Sequence, residues 1–220
     1  MKNLHLAALV LCAPVVAHAQ SWSASVGAGP FVFGDFAETV EFIGPGPTRI
    51  EHSLTGDTNA GIAVGLERSF NQRFSVRLEA TFTQSHLAVR SGSDDDAVSL
   101  DIADLDATTF ALPFVLRFNR GGTFRPLTYA GPAYVICDIS LPLESQPVPI
   151  FSGPRKKGGW IGGAGLEWWW SDRFGARGTI SDILTDSPLK RTDFPGPTPS
   201  SLEIKEVHNL QGIAGIVLRF

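Results

Sequence analysis

The chain has 220 residues, with 18 lysines and arginines against 22 aspartates and glutamates, a net charge of −4, and 43% hydrophobic residues. This weakly acidic balance carries no nucleic-acid footprint. One of its two cysteines, Cys12, lies in an apolar leader, which leaves Cys137 alone and excludes a disulfide framework. The length suits one domain, and beyond the leader no stretch is long and apolar enough for a membrane helix.

Residues 1–19 combine a cationic start at Lys2, an apolar run from Leu4 to Val16, and Ala17-His18-Ala19 before Gln20. This is the pattern of a secretory signal with an A-x-A cleavage site, so 1–19 is expected to be a signal peptide and 20–220 the mature domain. A lipidated Cys12 is disfavoured by the large Leu11 before it.

Eight strand segments follow, at 22–33, 58–70, 74–86, 107–118, 123–136, 158–170, 174–184 and 206–220. The third sets the type: Phe74, Val76, Leu78, Ala80 and Phe82 alternate with Ser75, Arg77, Glu79, Thr81 and Thr83, a period of two with one apolar and one polar face. The connections at 71–73, 119–122 and 171–173 are tight, whereas 34–57, 87–106, 137–157 and 185–205 are long. Loops of that length are uncommon in compact soluble domains, but short turns at one end and long loops at the other describe a membrane barrel with an even strand number. The expected fold is therefore all-β, an eight-stranded antiparallel transmembrane barrel whose apolar face meets lipid.

Two hairpins share one design. Gly65, Leu66, Glu67, Arg73, Phe74 and Arg77 recur one hundred residues later as Gly165, Leu166, Glu167, Arg173, Phe174 and Arg177. A three-residue turn puts Phe70 opposite Phe74 and Trp170 opposite Phe174, and hence Glu67 opposite Arg77 and Glu167 opposite Arg177, within ion-pair reach.

Aromatic spacing gives a separate measure. Phe74 and Phe82, Phe110 and Phe118, and Trp160 and Trp168 each lie eight residues apart on the outward parity. At roughly 3.3 Å per residue and a tilt near 40°, that is about 20 Å of depth, close to the apolar band between two aromatic girdles. Trp22, Phe70, Phe124, Trp170 and Phe220 fall at the turn end of the strands. Pro30, Pro113 and Pro132 interrupt proposed strands, where bulges or local breaks are expected.

In the last strand Leu210, Gly212, Ala214, Ile216, Leu218 and Phe220 share one parity. Gly215, Leu218 and Phe220 resemble the C-terminal insertion signal of small bacterial outer-membrane β-barrel proteins, with Ile213 departing from the usual polar residue. Arg125-Pro126 and Ala130-Gly131-Pro132 are also similar to strands of that family. The resemblance implies insertion in the outer membrane of a Gram-negative-type bacterium, contact with outer-membrane lipid and lipopolysaccharide, and recognition by barrel assembly machinery. It implies no particular activity.

On the inward parity, Glu67, Arg77, Glu79, Arg117, Glu167 and Arg177 lie near the periplasmic turns and are read as one ionic layer closing the lumen, because eight strands leave room only for side chains and buried charges need partners. A gated ion path through this layer is the alternative. The outer loops are expected to hold an acidic group (Asp94, Asp95, Asp96, Asp101, Asp104, Asp106) and a basic triplet (Arg155, Lys156, Lys157). The first has oxygen ligands but no EF-hand spacing, so a solvated loop stands beside divalent-cation binding; the second would suit lipopolysaccharide phosphates or bulk solvent. Gly44-Pro45-Gly46-Pro47 and Pro195-Gly196-Pro197 stiffen the loops.

Glu206 and His208 share the outward parity at the outer lip, but no nucleophile stands beside them in sequence, and G-x-S-x-G is absent. His52 and His86 read as isolated polar residues. No cofactor or metal site is expected. The sequence points to a non-enzymatic barrel that serves envelope structure or binds through its outer loops, with a narrow pore or carrier of small apolar molecules, and a lipid-modifying enzyme, as the alternatives.

Overall fold

A computed structural model describes residues 21–42, 49–92, 98–119, 122–140, 153–189 and 203–220. The leader, Asp94 to Asp96 and both Pro-Gly runs lie outside the described residues. Twelve β segments make up the eight strands of a closed ring. The first strand is β1 (Ser21–Val32) continued by β2 (Asp35–Phe42), and the second is β3 (Arg49–Gly56) continued by β4 (Asn59–Ser69). Then come β5 (Phe74–Gly92), β6 (Val98–Ala111) with β7 (Phe114–Arg117), β8 (Phe124–Ser140), β9 (Gly153–Trp169) and β10 (Phe174–Asp186). The last strand is β11 (Glu203–Ile204) with β12 (Glu206–Arg219).

All pairings are antiparallel between chain neighbours, and β1 closes on β12 from Ser23 opposite Arg219 to Val32 opposite Leu210. At the rim Trp22 and Phe220 exchange both backbone hydrogen bonds, at 3.1 and 2.9 Å. A ring that satisfies every strand edge is the β solution to crossing a bilayer.

The long connections expected at 34–57, 87–106, 137–157 and 185–205 are largely strand. β2 and β3 form a hairpin that continues the wall beside β5, β11 pairs with β2, and β8 and β9 stay paired out to Ile139 opposite Gly153. Asp101, Asp104 and Asp106 therefore lie on β6, and Arg155, Lys156 and Lys157 on β9, rather than on loops. These extensions escaped the sequence reading because the alternation reverses there. Below the outer aromatic ring of Phe82, Phe110, Tyr134 and Trp160, outward residues are apolar and exposed, Trp160 at 64% and Ile180 at 72%. Above it, His86, Asp104, Asp106 and Asp138 face out, while Leu87, Leu105, Cys137 and Ile139 are buried inside. The wall is built for lipid below and for water above.

The lower girdle consists of Phe74, Phe118, Phe124, Trp168, Trp170, Phe174 and Phe220, all exposed, with Phe124 and Trp168 stacked at a centroid distance of 6.1 Å. An apolar exposed band of this extent is a membrane surface.

The prolines behave differently from one another. Pro113 lies in the break between β6 and β7, yet the register with β8 is the same on both sides, from Ala111 opposite Ala133 to Phe114 opposite Ala130. Gly131 permits the break: a Cβ there would stand 2.5 Å from the Leu112 carbonyl oxygen and 2.6 Å from Pro113 Cα. Pro30 leaves a gap in the β1–β12 ladder without a shift, and Pro132 stays in register opposite Trp160. The register shifts fall instead between Asp35 and Ala37 and between Leu87 and Ala88, at the start of the extensions.

Deleting Phe220 removes the two hydrogen bonds that finish ring closure, together with an exposed girdle aromatic. The expected outcome is a reduced yield of the compact, heat-modifiable form when the protein is refolded into detergent, read as a mobility shift between unheated and boiled samples. An undiminished shift would show that closure does not depend on this residue.

Candidate functional site

The site grows from the two tight turns. Asn71 Oδ1 accepts the backbone N–H groups of Arg73 and Phe74 at 2.8 and 2.9 Å, and Ser171 Oγ accepts those of Arg173 and Phe174 at 3.3 and 2.9 Å. These side-chain turns fix the register of both hairpins, placing Glu67 opposite Arg77 and Glu167 opposite Arg177. Asn71 and Ser171 are one hundred residues apart, like the rest of the repeat, and their shared turn chemistry was a readable signal.

Each hairpin then hands its turn to the neighbouring strand. The Arg73 carbonyl accepts from Arg117 N–H and the Arg173 carbonyl from Arg219 N–H, both at 2.8 Å. Arg117 and Arg219 are thus equivalent positions in the two halves of the barrel.

All six expected residues are in the lumen, and five of them form a single connected layer. Glu67 accepts from Arg77 Nε at 3.1 Å, from Arg177 Nη2 at 2.8 Å, from Ser75 Oγ at 2.7 Å, and from Arg117 Nη2. Glu167 accepts from Arg117 Nε at 3.0 Å, from Arg177 Nη2 at 2.6 Å and from Trp169 Nε1 at 3.1 Å. Arg177 thereby bridges both carboxylates, as does Arg117. Glu79 is peripheral, 3.4 Å from Arg77 Nη1 and less buried than the others. Glu67 and Arg77 are each 1% exposed and Glu167 is fully buried, so the attraction acts in a poorly screened interior.

Beside the glutamates, one exchange distinguishes the halves. Ser69 and Ser75 of the first hairpin become Trp169 and Gly175 in the second. In both, the exchanged pair supplies a neutral donor to the local glutamate, Ser75 to Glu67 and Trp169 to Glu167. Gly175 makes the tryptophan possible, since a Cβ there would lie 2.9 Å from the indole. Trp169 also redirects Arg219, whose guanidinium sits 4.0 Å over the indole ring instead of joining the carboxylates as Arg117 does.

Away from the periplasm, the lumen changes character. Arg77 lies 5.3 Å over the Tyr129 ring, and Tyr129, Thr81, Thr83, Thr109, Ser181 and Gln211 form a buried polar zone. Phe31, Phe33, Phe36, Leu54, Leu87, Leu105, Ile139, Ile161, Ile183 and Val207 then pack as an apolar core within the outer half of the barrel. Alternation places these residues on the lumen side but did not announce an apolar core, because a lumen lined by polar side chains was expected there.

Other singled-out residues are dispersed. Of the assembly-signal residues, Leu218 and Phe220 point outward and Gly215 lies against β1. His86 is not isolated: its Nδ1 is 3.0 Å from Asp104 Oδ1 on the outer surface. His52, on β3, is likewise partnered. His208 Nδ1 is 2.6 Å from Asp182 Oδ2, an exposed pair, while neighbouring Ser181 faces the lumen. Among the described residues no group of three potential ligands is arranged for a metal.

Replacing Glu67 leaves three arginines short of a partner, whereas replacing Arg77 deprives only Glu67 and Glu79. Glu67→Gln is therefore expected to destabilise the barrel by about 3 to 5 kcal/mol and Arg77→Met by less, with the double variant recovering part of the summed loss. Equilibrium unfolding in detergent measures all three. Additive costs of a few tenths of a kcal/mol, as for exposed pairs, would show that the layer faces bulk water.

No family model and no curated protein sequence matches the chain. Solved structures do. The outer membrane protein OprG from Pseudomonas aeruginosa aligns with a TM-score of 0.60 at 13% identity, over 92% of this chain and 96% of that one. Neisserial surface protein A aligns at 0.52 and 9% identity, over 92% and 100%, and the outer membrane protein AlkL at 0.50 and 12%, over 94% of each. At these identities the likeness concerns the fold, and it extends over nearly the whole of every chain. With its closed ring, lipid-facing band and paired girdles, the chain has the fold of the small eight-stranded outer-membrane β-barrels.

Proposed function

We propose that this is a non-enzymatic outer-membrane barrel with a closed lumen, serving envelope structure or binding at its outer surface. The observation that carries this reading is the double filling of the interior: a cross-bridged ionic layer near the periplasmic turns and an apolar core beyond it. A conducting path needs a continuous line of water, and each zone opposes one. The ionic layer holds most of its donors and acceptors in mutual bonds, and the core offers ions no polar partner.

A surface role follows from the extended wall. The outer face above the girdle carries His86, Asp104, Asp106, Asp138, Lys156, Asp182 and His208, a mixed polar surface at the height where lipopolysaccharide and solvent meet. Asp182 with His208 is a paired couple on this surface. One observation favours a second reading. The apolar outer lumen suits a carrier of small apolar molecules if its core opens, and such molecules would leave sideways rather than through the ionic layer.

In planar bilayers the purified protein is expected to show no steady conductance above the protein-free baseline. Large, stable single-channel steps would replace this reading with a pore. Uptake of a small uncharged apolar solute into proteoliposomes, faster than into protein-free vesicles, would favour the carrier.

A further inference from the structure

Beneath the ionic layer the lumen widens into a cavity of about 270 Å³ that opens toward the periplasm. Arg117, Arg125 and Arg219 line it together with Asn71 and Gln72, and no carboxylate is among its lining residues. The charges of the layer above cancel, since Glu67, Glu79 and Glu167 face Arg77, Arg117 and Arg177. Arg125 and Arg219 stand outside that balance. Arg125 donates from Nε to the Gly122 carbonyl at 3.0 Å and lies 5.6 Å over the Trp169 ring, while Arg219 lies 4.0 Å over the same ring. Neither makes an ion pair among the described residues. Two half-buried guanidiniums share one indole at the mouth of a barrel and leave it with two uncompensated positive charges.

Such an arrangement attracts an anion, and its geometry limits which kind it suits. Guanidinium forks match the oxygens of a phosphate two at a time, and a phosphate monoester carries close to two negative charges at neutral pH. Asn71 uses its side-chain oxygen to hold the turn, which leaves its amide nitrogen as a donor. We infer that the periplasmic mouth is a binding site for a phosphate-bearing anion held by Arg125 and Arg219. Two sources share this chemistry: a small soluble phosphate from the periplasm, or the headgroup of an anionic phospholipid of the inner leaflet, which lies level with the lower girdle.

The test uses the mature protein refolded into phosphatidylcholine nanodiscs and titrated with inorganic phosphate, followed by ³¹P NMR line broadening. Saturable broadening is expected, weakened about tenfold or more in the Arg125→Gln/Arg219→Gln variant. Arg173→Gln, on the exposed turn outside the cavity, is expected to stay within about twofold of the parent. Repeating the titration with phosphatidylglycerol in the nanodiscs separates the sources. Competition with inorganic phosphate that disappears in the double variant assigns the site to the headgroup, and undiminished phosphate binding assigns it to the soluble ion. If the double variant fails to give the heat-modifiable form, Arg125→Lys/Arg219→Lys keeps the charge but loses the forks, and weakened binding is again expected. Absence of saturable binding in the parent, equal loss in Arg173→Gln, or unchanged affinity in the lysine variant would overturn the assignment.

Discussion

A buried charge is tolerable only while its counter-charge is held in place, and the lower lumen is organised around that constraint. Glu67 and Glu167 come from opposite walls, and Arg117 and Arg177 each reach both of them. These bridges span the ring rather than a single hairpin, so each wall fixes the position of the other. A bare ring of hydrogen-bonded strands has no such cross-members. The turns contribute at a distance: Asn71 and Ser171 hold the register that places the carboxylates, and a slip of one residue would turn every charge toward lipid.

The two halves of the barrel share the Glu67/Glu167 and Arg77/Arg177 framework, and beside the glutamates Ser69 and Ser75 are exchanged for Trp169 and Gly175. A serine hydroxyl and an indole N–H perform the same service for their glutamates, but they differ greatly in bulk. The tryptophan occupies the space into which Arg219 would otherwise reach, and so the symmetric framework carries an asymmetric distribution of charge. The position of Arg219 in the basic mouth beneath the ionic layer goes with this one replacement.

The ring, its strand order and the facing of Glu67 with Arg77 were legible in the sequence, because strict alternation and a three-residue turn determine both direction and register. Arg117 could be assigned to the lumen by parity, although its reach to both carboxylates could not, since strand pairing says nothing of contacts across a barrel. Trp169 was hidden between two outward tryptophans, and only the compensating Gly175 marked it as inward. The strands beyond the girdle were read as loops for a physical reason: segments such as Asp104-Leu105-Asp106 alternate correctly but with the opposite sense, as a soluble wall does. The prolines led to an expectation of bulges or local breaks at all three sites: Pro113 lies in a break that the neighbouring Gly131 accommodates and Pro30 leaves a gap in its ladder, whereas Pro132 is absorbed in register.

The abrupt reversal of polarity at the outer girdle also has a mechanical meaning. Trp160, Phe110 and Tyr134 end the greasy band, and His86, Asp104, Asp106 and Asp138 begin the wet one within a few residues on adjoining strands. Sliding the barrel inward by one residue pair would push carboxylates into hydrocarbon, and sliding it outward would lift aromatic rings into water. A closed, cross-braced ring cannot tilt or compress to relieve either error. In a membrane of different thickness the lipid must therefore deform around the protein, so the barrel imposes its own thickness on the annulus of acyl chains that surrounds it.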